Sequence, residues 1–220
     1  MLARLSLPGG LALTGVRCLV GCWVSGLLVS LSLASEPQPT KRSAAELMDA
    51  VMWNREAVGG PFRLTDHQGR IRRDTDFRGK LMLVYFGYTT CPDICPTDLY
   101  QISQAMDLLG ASASEVVPVF ITLDPKRDTV KLLSAYVPSF HPQLVGLTGS
   151  EAAIRQVAGA YRVFYEQVPV RGWLRYSIDH SAFIYVMGVD GRYLGFLPPG
   201  TDAPRIVDVV RSFLAAKSSK

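Results

Sequence analysis

The chain has 220 residues, of which 48% are hydrophobic and 19% are charged, and its mean hydropathy is +0.17. This composition excludes a disordered or low-complexity protein, and the length suits one folded domain with a short extension. Lysine and arginine form no run or stripe, so the pI near 8.9 does not indicate a nucleic-acid partner.

The first 35 residues differ from the rest of the chain. They contain two charges, Arg4 and Arg17, and no acidic residue, and residues 18–35 form an uncharged apolar run. Eighteen residues is about the lower limit for a helix that spans a membrane. We therefore expect residues 1–35 to be an N-terminal membrane anchor or a signal segment.

Three fates of this segment fit the sequence. It is an uncleaved anchor, a signal peptide cleaved after the small residue Ala34, or a lipoprotein signal processed at Cys22. In each case the rest of the chain is exported, and Arg4 and Arg17 favour an N-terminus on the inner side. We expect the globular part in the bacterial periplasm, with the mitochondrial intermembrane space as the alternative.

Residues 36–58 are predicted to be a linker, and the globular pattern over 59–217 alternates strand-like apolar runs with helical stripes. This alternation predicts an α/β domain with parallel strands and crossover helices. Asp128 and Ser150 are expected to cap the two middle helices. The predicted elements are a hairpin (62–77), a strand (80–88), a helix from Pro96 to Gly110, a strand (116–123), a helix (129–137), a strand (144–147), a helix (151–164), an irregular excursion (167–177), a hairpin (181–186 with 192–197) and a closing helix (202–216).

Four cysteines form two pairs with the same spacing. Cys18 and Cys22 lie in the apolar segment, where they are expected to act as small hydrophobic residues, and Cys91 and Cys95 are the only cysteines of the globular part. Two thiols at the start of a helix share one face, and the helix N-terminus favours the thiolate. A structural disulfide, a redox pair and a chelate for a soft metal all remain open.

A site with two thiolates needs a further ligand, so the three histidines are candidates. His67 lies in a polar turn, where we expect it to be exposed, and His141 lies in a loop; neither is expected to be a ligand. His180 directly precedes the predicted strand 181–186. Its position alone does not decide between a ligand and a structural residue.

Three motifs occur in order along the globular part. They are residues 85–97 around the two cysteines, residues 124–129 with the pattern Asp-Pro-x-Arg-Asp-Thr, and the tripeptide 179–181, Asp-His-Ser. Together they resemble the Sco/SenC family of copper-binding assembly factors for cytochrome c oxidase, over about 59–216. The resemblance implies a thioredoxin-like fold with an N-terminal β-hairpin and an insertion before the late β-hairpin, preceded by a membrane anchor.

The same resemblance implies a copper site. Cys91, Cys95 and His180 would bind one copper per chain, as Cu(I) or Cu(II), and the two cysteines would also form a redox disulfide. Asp124 and Asp179 would lie beside the site, either orienting His180 or receiving a partner's positive charge. For each carboxylate the alternative is a plain turn residue.

The implied function is that of a copper metallochaperone, an assembly factor and not an enzyme, which delivers copper to the dinuclear copper site of cytochrome c oxidase. One alternative is a thiol-disulfide oxidoreductase that reduces the cysteines of that site, and another is a copper or redox sensor. Thr90 and Arg127 also leave a peroxidase open. The implied partners are the copper-receiving oxidase subunit, other copper chaperones or thiol-disulfide proteins, and the membrane, with no nucleic acid.

Overall fold

The computed structural model describes residues 57–171 and 175–218. The predicted anchor or signal segment lies outside these ranges, and within them no helix combines the length and apolarity needed to cross a membrane. The strands and helices are β1 Arg63–Asp66, β2 Ile71–Arg73, β3 Leu81–Gly87, α1 Ile94–Leu109, β4 Val116–Thr122, α2 Val130–Tyr136, β5 Val145–Thr148, α3 Glu151–Ala160, β6 Tyr165–Pro169, β7 Tyr176–His180, β8 Ile184–Met187, β9 Tyr193–Leu197 and α4 Ala203–Ser218.

A seven-stranded sheet with the order β2-β1-β5-β4-β3-β8-β9 forms the centre of the molecule. β3 pairs in parallel with β4, and β4 with β5, whereas β8 and β9 add an antiparallel pair. Every residue of β3 is buried, as its continuous apolar and aromatic run predicts for a central strand. The predicted α/β arrangement is confirmed, and the loops after β3 and β4 meet at one edge of the sheet.

The segment predicted to be an irregular excursion is a two-stranded antiparallel ribbon. β6 and β7 pair with each other from Tyr165 opposite His180 to Pro169 opposite Tyr176. The prediction of irregular chain was wrong because the two strands satisfy their backbone groups locally, without a buried face strong enough to mark them in the sequence. His180 is therefore the last residue of β7, and three residues separate it from the start of β8.

The end of one helix and the N-terminal cap of another differ from the prediction. Helix α3 ends at Ala160, because Arg162 adopts a left-handed φ of 58° and the amide of Val163 turns back to the carbonyl of Ala158. Helix α2 is capped by Thr129, whose hydroxyl accepts from the amide of Leu132, and not by Asp128. The cap at Ser150 is confirmed.

Helix α1, which carries Cys95 near its start, is fixed against the start of α4. The carboxylate of Asp98 accepts from the amide of Gly200 at 2.9 Å, and the side chain of Gln101 accepts from the amide of Ala203 at 2.9 Å. The predicted stripe of α1 is buried: Leu99, Ile102, Met106 and Leu109. These contacts set the rotation of α1 and so the direction in which Cys95 points.

Candidate metal centre

The two thiols lie where β3 passes into α1. Cys95 is the second residue of α1 and is fully buried, whereas Cys91 lies in the preceding loop and is half-buried. The amide of Cys91 donates to the carbonyl of Tyr88 at 3.2 Å, which turns the chain tightly after the strand. Both cysteines are free thiols.

Gly87, the last residue of β3, makes room for Cys95. A β-carbon at this position would lie 2.8 Å from the sulfur of Cys95 and 3.1 Å from side-chain atoms of Tyr85 and Phe120. All three neighbouring side chains are fully buried. The thiol therefore occupies space that only a glycine leaves open.

His180 reaches the thiols because of the way β8 pairs with β3. Tyr85, near the carboxyl end of β3, lies opposite Ile184, the first residue of β8, so the residues before β8 come close to the cysteine loop. Nε2 of His180 lies 3.3 Å from the sulfur of Cys95, and Nδ1 lies 3.2 Å from the carbonyl oxygen of Ser181. The contact of Nδ1 with that carbonyl orients the ring so that Nε2 faces the sulfur.

The ligand atoms of Cys91, Cys95 and His180 all lie within 4.8 Å of one another. In the part of the chain that the structure describes, these residues form the one cluster of three or more such side chains suited to a metal ion. Two sulfurs and an imidazole nitrogen are the donors that soft or borderline metals such as copper prefer. The donor set thus fits a single copper ion.

The two thiols differ in acidity. A hydrogen bond from the Cys95 thiol lowers the pKa of Cys91 well below its usual value; burial opposes the shift, and hydrogen bonds from His180 and the backbone at the helix start add to it. The same interaction with Cys91, together with burial, raises the pKa of Cys95. In the reduced protein these opposite shifts favour the thiolate at Cys91 and the protonated thiol at Cys95.

This difference predicts selective alkylation. With reduced, metal-free chain at pH 6, iodoacetamide should modify Cys91 at least about ten times faster than Cys95, because an ordinary thiol with a pKa of about 8.5 is protonated at that pH and a lowered one is not. Mass spectrometry with fragmentation assigns the modified residue. In the Cys91→Ala chain, Cys95 should stay slow; equal or faster modification of Cys95 in the natural chain would contradict the assignment.

The two expected carboxylates do not touch His180. Asp179 is exposed on β7, and because neighbouring side chains alternate along a strand it points away from the face that carries His180. Asp124 is buried, accepts from the hydroxyl of Tyr176 at 2.9 Å and pairs with Arg127. The carbonyl of Ser181, and neither carboxylate, orients the imidazole directly.

The other two histidines have local roles. Nδ1 of His67 accepts from the amide of Gly146 at 3.2 Å, and Nδ1 of His141 accepts from the amide of Gln143 at 3.1 Å. His67 is half-buried, so the expected exposure was wrong, and His141 is buried. Neither ring belongs to the cluster with the thiols.

Sequence reasoning missed three residues that surround the site. Asp98, one turn after Cys95, is fully buried, and burial raises its pKa. Tyr85 is fully buried, and the hydroxyl of Tyr88 is hydrogen-bonded to Ser177. Both tyrosine rings lie edge-on to the ring of His180, with centroid distances of 6.4 Å for Tyr85 and 6.0 Å for Tyr88. The signal for Asp98 was an acidic residue beside the apolar stripe of α1. Tyr85 and Tyr88 lie within the 85–97 motif, but their contacts with His180 join distant parts of the chain.

The fold and the site together define a thioredoxin-like domain with a Cys-x3-Cys pair and a distant histidine. The profile of the SCO1/SenC family matches residues 51–215, and the chain belongs to this family. It is 41% identical over 204 residues to the mitochondrial SCO2 homolog of Bos taurus, covering 91% of this chain and 74% of the relative.

Solved structures show the same fold. Copper-bound ScoI of Bradyrhizobium japonicum matches with a TM-score of 0.67 at 39% identity, over 71% of this chain and 99% of the other. A more distant match is BsSco, described as having a disulfide switch and as a member of the Sco family of cytochrome c oxidase assembly proteins. Its TM-score is 0.57 at 21% identity, over 71% of this chain and 92% of the other, a likeness of fold alone.

Proposed function

We propose that this protein is a copper metallochaperone that delivers copper to the dinuclear copper site of cytochrome c oxidase during its assembly. The observation that carries the proposal is the convergence of Cys91, Cys95 and His180 within 4.8 Å, with two of the three side chains half-buried. A buried, closed set of ligands would suit a structural metal, whereas a partly open set lets a recipient's ligands approach.

Copper is the cargo of this site. Two thiolates and one imidazole suit Cu(I), and they hold Cu(II) with one further ligand. The Cys91 thiolate is ready to bind, while Cys95 releases its proton on binding, since the thiolate is the ligand form. Thiolates of the recipient displace these ligands one at a time, which moves the ion without releasing it to water.

The proposal also assigns a role to each segment of the chain and a location to the copper-binding domain. Residues 1–35 anchor or export the chain, 36–58 act as a linker, and 59–217 form the copper-binding domain on the exported side of the membrane, in the bacterial periplasm. The exposed Asp179 receives positive charge from the recipient subunit, for which its accessible position beside His180 in sequence is suited.

The difference in pKa between the two thiols favours a second function. A half-exposed thiolate beside a protonated, buried thiol is the arrangement for disulfide exchange. The Cys91 thiolate would attack a recipient disulfide to form a mixed disulfide and release one recipient thiolate. Cys95, after losing its proton, would then displace the second thiolate, leaving the recipient reduced by two electrons and this chain with a Cys91–Cys95 disulfide.

Metal loading tests the copper site. The reduced chain, given Cu(I) without oxygen and then desalted, should retain about one copper per chain by elemental analysis, and the Cys91–Cys95 disulfide form should retain none, because sulfur lone pairs in an S–S bond are poor ligands. Cys91→Ala should abolish retention. The matched control changes Cys18 and Cys22, which have the same spacing, to serine and should retain copper.

Two outcomes would contradict the proposal. Equal copper retention by the oxidised and reduced chains would show that the thiols do not hold the ion. If the loaded chain keeps its copper when mixed with the metal-free copper-receiving domain of an oxidase subunit, the delivery role is wrong even though the binding site is right.

A further inference from the structure

The turn after β4 holds the loop that carries the thiols. Asp128 is fully buried, and its carboxylate accepts from the amide of Thr89 at 3.0 Å, from the hydroxyl of Thr89 at 2.5 Å and from the hydroxyl of Thr122 at 2.6 Å. Thr89 lies two residues before Cys91. The turn thus fixes one side of the metal centre, and this use of the carboxylate is why Asp128 does not cap α2.

The same turn holds β7, which carries His180. The guanidinium of Arg127 lies 3.9 Å from the ring centroid of Tyr176, and its Nη1 donates to the carbonyl of Tyr176 at 3.0 Å. Asp124 pairs with Arg127 and accepts from the hydroxyl of Tyr176 at 2.9 Å. The first residue of β7 is therefore held at its ring, its hydroxyl and its carbonyl by two largely buried charges.

The ribbon needs such an attachment. Its two strands pair with each other and belong to a separate sheet, and a two-stranded ribbon alone is at best marginally stable. Tyr176 and His180 are the first and last residues of β7 and lie on the same strand face, so fixing Tyr176 fixes the path to His180. Tyr88 adds a second contact, because its hydroxyl lies 2.9 Å from Oγ of Ser177.

We propose that Asp124, Arg127 and Tyr176 form a clamp that positions His180 over the two thiols, with Arg127 as its central positioning residue. The inference rests on the proposed function in one respect, that His180 is a copper ligand. Without the clamp the ribbon moves away from the thiols, and copper is left with the two sulfur ligands. Cu(I) tolerates that loss, whereas Cu(II) needs the nitrogen ligand.

A double-mutant cycle on the purified full chain tests the clamp. Arg127→Gln, His180→Ala and the double variant are compared for Cu(II) affinity, by competition, and for nitrogen hyperfine coupling in the Cu(II) electron paramagnetic resonance spectrum. Arg127→Gln should weaken Cu(II) binding about tenfold and reduce the imidazole coupling, with little loss of Cu(I). In the His180→Ala background it should cause no further loss.

Two more variants separate positioning from folding. Tyr176→Phe keeps the ring under Arg127 but removes the bond to Asp124, so it should shift the same signals in the same direction by less. Arg155→Gln, at an exposed arginine that pairs with Glu151 at 3.9 Å, is the matched control and should change neither. If urea unfolding shows that Arg127→Gln does not fold, the same double-mutant cycle is measured with Tyr176→Phe and His180→Ala, and its result tests the clamp.

The outcomes distinguish the clamp from the copper site. Two results would overturn the clamp alone. In the first, the losses of Cu(II) affinity add in the double variant. In the second, Arg127→Gln keeps its Cu(II) affinity and nitrogen coupling while His180→Ala loses both. If His180→Ala itself leaves Cu(II) affinity and nitrogen coupling unchanged, the proposed ligand set fails and the clamp fails with it.

Discussion

Replacing His180 by alanine should weaken Cu(II) binding by about a hundredfold or more, because one of three ligands is lost and the remaining two sulfurs favour Cu(I). The fold should change little, within about 1 kcal/mol, since the side chain is half-buried at the end of the ribbon. Disulfide formation between Cys91 and Cys95 should persist, because that chemistry runs through sulfur alone. Copper competition, urea unfolding and thiol titration measure the three quantities.

The same variant separates the two candidate functions in cells. With copper limiting, His180→Ala should fail to support cytochrome c oxidase assembly, as should Cys91→Ala. His67→Gln is the matched control, at a histidine outside the thiol cluster, and should support assembly. If His180→Ala assembles the oxidase at low copper while Cys91→Ala does not, the thiols act by exchange and the oxidoreductase function replaces the chaperone function.

Gly87→Ala should damage both stability and copper binding. Its β-carbon would meet the sulfur of Cys95 at 2.8 Å and buried atoms of Tyr85 and Phe120 at 3.1 Å, so the thiol or the strand must move. Overpacking of this kind costs about 1–3 kcal/mol in the free energy of unfolding. Because the displaced sulfur is a proposed copper ligand, copper affinity should fall together with stability. Urea unfolding and copper competition, measured on the same preparation, check the pair of effects.

Gly159→Ala provides the control for this prediction. Gly159 lies in α3, and a β-carbon there would meet no atom within 4 Å beyond the neighbouring residues and backbone of its own helix. A glycine-to-alanine change inside a helix without a clash should stabilise by up to about 1 kcal/mol and leave copper binding unchanged. If Gly87→Ala changes neither stability nor copper affinity, the side chains packed against Gly87 can accommodate a β-carbon without displacing Cys95, and the prediction is wrong.

The central part of the fold was predictable because its signals are local. The buried runs that became β3 and β4 contain almost nothing but apolar, aromatic and β-branched residues, and the stripe of α1 repeats at helical spacing. The ribbon was not predictable in this way. Its alternation is weak, and its pairing of Tyr165 with His180 joins residues fifteen positions apart through backbone groups that any sequence possesses.

In the candidate site, too, the features with local sequence signals were predictable and the long-range contacts were not. Cys91 and Cys95 stand out by their spacing at a helix start, and His180 was selected by the Asp-His-Ser motif through the family resemblance. The contacts that hold these side chains were not predictable, because each spans a long stretch of chain: Asp128 reaches Thr89 across 39 positions, and Tyr176 reaches Asp124 across 52. Asp124 was expected beside the site, but its effect on His180 passes through β7.

The β6–β7 ribbon forms a sheet of its own, so the candidate metal centre draws its side chains from two separately hydrogen-bonded parts of the domain. The thiols lie between the end of β3 and the start of α1, beside the buried core, while the histidine lies in a ribbon that is joined to the rest of the domain by contacts such as those of Ile178 with the core and of Tyr176 with Arg127. We therefore expect local opening of the ribbon to require less free energy than global unfolding. The proposed nitrogen ligand could then leave the metal through a local opening, without unfolding of the whole domain.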